Sequence, residues 1–108
     1  MSANEILSAA VSKTEFAIKN GYELPVNVQA LWRPVSIGCA ARDWNFDICG
    51  VVAWHLRPLR RAGIDTGGLF AVFLAAIGID SQSEDWAAVM SEFEAAQLRI
   101  CDGKDEGK

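Results

Sequence analysis

The chain has no apolar run long enough to cross a bilayer. Its longest nearly uninterrupted one, residues 69–77, is about half of the roughly 20 residues a span requires. Its first residues, MSANEILSAAV, lack the basic start and apolar stretch of a secretory leader. There are only three cysteines, an odd set. Together these features lead us to expect a reduced, cytoplasmic setting with free thiols and no membrane association.

Chemistry-bearing residues are equally sparse. His55 is the only histidine. With Cys39, Cys49 and Cys101 it would nominally complete four zinc ligands, yet structural sites take ligands in pairs about two to four residues apart. None of these four stands so close to another. No serine sits in a Gly-x-Ser-x-Gly turn. The DTGG stretch at 65–68 precedes a helix, whose N-terminus attracts anions, but it lacks the Gly-x-x-x-x-Gly-Lys pattern of a phosphate loop. Cys49 and His55 lie six residues apart, about 240° around a helix, so they do not face one another. Asp43 and Asp47 are better explained as a helix cap and a first-turn acid than as an acid–base pair. The chain is therefore expected to be non-enzymatic, with no catalytic residue, metal or cofactor.

What the chain does have is an ordinary globular make-up: 51% hydrophobic and 22% charged over 108 residues. One domain of this length buries roughly two-thirds of its unfolded surface and needs no staple to fold. The net charge of −4 argues against direct nucleic-acid binding, which depends on bases that neutralise phosphates. The acidity is uneven. Residues 1–65 hold seven bases and six acids, whereas residues 66–108 hold three bases and eight acids.

Periodicity predicts an all-α fold: a compact bundle of four to five helices around a central apolar helix at about residues 66–78, with a single domain over 1–101 and a frayed tail at 102–108. The first helix has Ser2 as cap and Glu5 as capping-box partner. Ile6, Leu7, Ala10, Val11, Thr14, Ala17 and Ile18 form its buried stripe, and Asn20-Gly21 stops it. Residues 22–41 read as a short helix or an irregular segment. Their alternation of Val26, Val28, Ala30 and Trp32 suits a strand, Pro25 suits a first helical turn, and Pro34 is expected to break either.

Asp43 is expected to cap the next helix, with Trp44, Ile48, Val51, Val52, His55, Leu56 and Leu59 on its core face. His55 would then point inward, and Pro58 should kink or end the helix. The stretch 67–77 is apolar all round and should be buried on most sides, closed by Gly78 with Ile79 as its hydrophobic contact. The last helix, from about Ser83 to Ile100, sets Trp86, Val89, Met90, Phe93, Ala96, Gln97 and Ile100 against an acidic arc.

Two surfaces remain as binding candidates. Phe46, Gly50, Ala53, Trp54, Arg57 and Arg61 fall opposite His55, and tryptophan with arginine is the make-up of an interface hot spot. Asp80, Glu84, Asp85 and Glu92 form an acidic edge suited to a basic partner. A helix-turn-helix reading of 66–100 fails because its second helix opens with Glu84 and Asp85, acids that would face phosphates. The leading expectation is thus a small acidic protein that binds and inhibits a macromolecular partner. That partner would be a protein or nucleoprotein complex whose basic surface it occludes. Small acidic single domains are common among inhibitors carried by phages and mobile elements, such as anti-CRISPR and anti-restriction proteins, and among toxin-immunity proteins. No motif here ties the chain to any of them. The alternative is a helical small-molecule or effector-binding domain with a pocket near Trp44, Trp54 and His55. A homodimer through Trp54 would carry the same hot-spot signal.

Overall fold

A Ser2–Glu5 capping box opens the first helix, α1 (Ala3–Lys19). The Glu5 N–H donates to the Ser2 hydroxyl at 3.1 Å, and the Ser2 N–H donates to Glu5 Oε1 at 2.9 Å. Hydrogen bonds from the Ser2 backbone, then from its hydroxyl, hold the Glu5 carboxyl below its usual range. Ile6, Leu7, Ala10, Val11 and Thr14 are buried at the anticipated spacing. The Thr14 hydroxyl satisfies itself on the Ala10 carbonyl at 2.8 Å. A computed structural model describes residues 2–41 and 47–100 of the chain. Among them four further helices follow: α2 (Val26–Ala41), α3 (Ile48–Arg61), α4 (Thr66–Ala76) and α5 (Glu84–Ile100). The chain is therefore the anticipated all-α bundle.

Three of the five helices stop in the same way. Gly21, Gly63 and Gly78 adopt φ of 104°, 87° and 86°. In each case the following N–H reaches back six residues inclusive: Tyr22 to Ala17, Ile64 to Leu59 and Ile79 to Leu74, at 3.0 Å in all three. This is the Schellman motif, and the left-handed residue at its centre favours glycine. Ile79 is buried beyond its glycine, as expected.

The segment 22–41 departs from expectation. It is neither short nor irregular: α2 spans 16 residues and runs through Pro34. Val28, Leu31 and Val35 recur at helical spacing and are all buried, so burial of one face outweighs the hydrogen bond that proline removes. Pro25 precedes the helix, its carbonyl accepting from Val28 and Gln29 at 2.9 and 3.3 Å.

Helix α3 also differs. Its N-cap is Asp47, whose carboxylate makes no capping bond. The Ile48 N–H is instead accepted by Asn4 Oδ1 of α1 at 2.8 Å. Asp43, Trp44 and Phe46 lie outside the described residues. Pro58 does not end the helix, which continues to Arg61. The buried arc of α3 is Ile48, Cys49, Val52, Ala53 and Leu56. It is rotated from the anticipated face, so His55 is exposed and Leu59 largely so. The inward-pointing histidine expected from the pattern is thereby corrected.

Helix α3 touches each of the other four, most extensively α5. Helix α4 supplies Phe70, Phe73 and Leu74 to the middle of the core, but it is not enclosed on most sides, since Val72 and Ala75 face outward. Phe70 stacks on Phe93 of α5 at 4.1 Å between ring centroids, and the Thr66 hydroxyl bonds Gln97 in the interior. These two contacts run in opposite directions along the pair, so α4 and α5 are antiparallel. The Tyr22 hydroxyl, donating to the Ala76 carbonyl at 2.7 Å, ties the end of α1 to the end of α4.

Three substitutions, the last a surface control, test this arrangement by urea unfolding. Pro58→Ala, at an exposed interior position of α3, is expected to raise stability by about 1–3 kcal/mol, because it restores a backbone donor and lifts the clash with the Trp54 carbonyl. Phe93→Ala is expected to cost about 3–5 kcal/mol. Phe16→Ala, at a side chain 71% exposed, should stay within about 0.5 kcal/mol of the parent.

Candidate functional site

The acidic edge is built on the cap of α5. The Ser83 hydroxyl accepts the Trp86 N–H at 3.1 Å and donates to the Asp80 carbonyl at 2.6 Å. Asp80 Oδ1 in turn accepts the Gln82 N–H at 3.0 Å. Asp80 is therefore held in a turn that stops α5 from beginning earlier. Glu84 and Asp85 occupy the first turn of α5, where the helix dipole favours acids. Glu92 lies seven residues beyond Asp85 and on the same side of the helix. All four carboxylates are exposed, and none makes an ion pair among the described residues. The sole ion pair shown there is Arg99–Asp47, at 3.2 Å, between exposed side chains of α5 and the α3 cap.

The tryptophan–arginine surface survives in part. Trp54 is 56% exposed, and the Arg57 guanidinium lies over its ring at 4.9 Å. Arg61, one turn further, is exposed. Gly50 and Ala53, assigned to the same face, are buried. That flank of α3 is therefore sandwiched, and only its outer margin is free. The Arg57 Nε is buried without a hydrogen-bond partner. Such a donor costs about 1–3 kcal/mol or more, since it belongs to a charged group, and stacking on Trp54 offsets some of this.

Trp54 and His55 do not converge on one pocket. His55 faces a trough of ≈ 520 Å³ between α2 and α3, whose other walls are Gln29, Ala30, Arg33, Pro34 and Ile37. Trp54 is not among these residues. Sequence reading missed this trough because it took 22–41 for a short helix or an irregular segment. Reading Val28, Leu31 and Val35 as a helical stripe would have placed Arg33 and Ile37 on the outer face. A second hollow, of ≈ 440 Å³, lies between α1 and the α4–α5 connection, with Lys13, Asp80 and Asp85 among its walls.

Neither described thiol, Cys39 or Cys49, is lowered toward a reactive thiolate. Burial, reinforced by Asp47 and then Glu92, pushes Cys49 up to about 12. Burial also raises Cys39, against a hydrogen bond with Ser8 that lowers it. No group of three or more His, Cys, Asp or Glu side chains that could hold a metal ion occurs among the described residues. No helix among them is long and apolar enough to cross a membrane. No family model matches the chain, and no curated protein or solved structure matches it.

The Cys49 shift has two measurable consequences. In a Cys101→Ser background, Cys49 should resist alkylation at about pH 8 until the protein unfolds, with Cys39 reacting first. The folded thiol also titrates above the unfolded one. Its contribution to stability is therefore present at neutral pH and should be lost as the pH climbs from about 9 toward about 12. Cys49→Ala should flatten that alkaline limb of a pH–stability profile.

Proposed function

We propose that the protein is a non-catalytic binder whose acidic edge covers a basic surface on a protein or nucleoprotein partner and blocks what that surface handles. The observation that carries this reading is the set Asp80, Glu84, Asp85 and Glu92. They are four exposed carboxylates on one rigid cap and helix, without ion pairs among the described residues. Fixed, unneutralised charge of one sign steers a complementary surface and loses little side-chain freedom on docking. The raised thiols and the separation of His55 from Cys49 add support, because neither offers an activated nucleophile. Inhibitors of the phage or mobile-element kind, and toxin-immunity proteins, are the narrower classes that this mode of action fits.

The small-molecule reading has less support. The trough beside His55 lies open between two helices rather than enclosing a ligand, and Trp54 is not among its walls.

Affinity capture with the intact chain tests the proposal. Nucleic-acid-handling complexes retained at about 50 mM salt should be lost by about 300 mM, as screening shortens the reach of exposed charges. A D80K/E84K/D85K/E92K variant with an unchanged unfolding midpoint should lose about tenfold or more in affinity at low salt. Capture that ignores salt and survives the four reversals would refute it.

A further inference from the structure

We propose that the trough between α2 and α3 receives the apolar face of an acidic, amphipathic helical segment of another protein. It would be a second docking surface, independent of the acidic edge. Ala30, Pro34 and Ile37 line its α2 side, and Ile37 is 64% exposed. An aliphatic side chain so exposed in a concave site matches the walls that receive apolar anchors spaced one helical turn apart. Because residue 34 is a proline, the Ala30 carbonyl has no helical N–H to accept.

Charge selects the occupant. Helices α2 and α3 together carry Arg33, Arg57, Arg60 and Arg61 and not one Asp or Glu. Arg33 stands in the trough itself, exposed and without an ion pair among the described residues. His55 faces it from the opposite wall. No Asp or Glu lines the trough, and Glu23 lines the adjoining hollow that also borders Arg33. Carboxylates flanking an apolar stripe would meet Arg33 while the stripe covers Ile37 and Pro34. Two copies of this chain pairing trough to trough would oppose Arg33 to Arg33, which argues against a symmetric dimer here. A nucleic-acid strand fits less well. The trough presents one arginine and no aromatic ring, whereas strand binding tracks several phosphates and stacks bases on aromatics.

A display library of randomised helical peptides, panned against the intact chain, tests the assignment. Enriched peptides should carry apolar residues at i, i+4 and i+7 flanked by Asp or Glu. The best of them, followed by fluorescence anisotropy, should weaken about tenfold or more with Arg33→Glu and with Ile37→Asp. It should bind the Asp85→Lys variant as it binds the parent. A peptide with lysines in place of its acids should recover affinity for Arg33→Glu, which a merely misfolded variant would not show. If Arg33→Glu unfolds, Arg33→Gln replaces it, with a smaller loss expected. Four outcomes overturn the proposal: no enrichment over an Arg33→Glu/Ile37→Asp control, enriched peptides without acidic bias, binding of an RNA oligonucleotide or an anionic vesicle through the same residues, or self-association abolished by Arg33→Glu.

Discussion

The packing of α5 along one flank of α3 decides which side chains of α3 reach solvent. Cys49 approaches the Val89 carbonyl at 3.9 Å, and small side chains on that flank, Gly50 and Ala53, are buried. With that flank taken by α5, and with Ile48, Val52 and Leu56 in the core, only one arc of α3 is left for solvent. Trp54, His55 and Pro58 occupy it. A histidine that sequence periodicity would bury is thus turned outward by its neighbours' choice of flank.

Much of the architecture was nonetheless legible. Ser2 with Glu5, and Gly21, Gly63 and Gly78, mark helix ends through local chemistry that no tertiary contact has to supply. The stripe of α5 was equally plain, because Val89, Phe93, Ala96 and Gln97 repeat at three and four. Two kinds of element were not legible. Pro34 and Pro58 read as breaks, yet each sits within a helix whose buried residues pack against neighbouring helices. The face of α3 was ambiguous for a different reason. Its buried arc includes Cys49 and Ala53, which the sequence pattern leaves off the core face, and counting them turns the inward direction away from His55. The acidic edge was readable because charge at the start of a helix stays exposed whichever way the helix rolls. The trough was not, since it depends on two helices at once.

The resulting molecule is divided electrostatically. Helices α2 and α3 are wholly cationic in their charged residues, while α5 sets four acids against Arg99. The Arg99–Asp47 pair joins the two halves. An exposed pair of this kind adds little to stability, but it removes the one acid that caps α3 from the cationic side. Segregation of this sort lets a small domain present surfaces of opposite preference without either neutralising the other, so long as they are separated by more than the screening length of about 8 Å. The buried Thr66–Gln97 bond has a complementary role in the core. It is a polar contact between α4 and α5 that an apolar sliding of one helix past the other would break.

Asn4 carries the last consequence. Its side chain closes the backbone of a helix that begins 44 residues later, a duty Asp47 leaves undone. The opening turn of the polypeptide is therefore structural cement for its middle. Removing that turn, or converting Asn4 to a residue without an acceptor, would loosen the start of α3 and the adjoining seam with α5 as one unit. Damage in the first turn of α1 would be felt first at a joint far along the sequence.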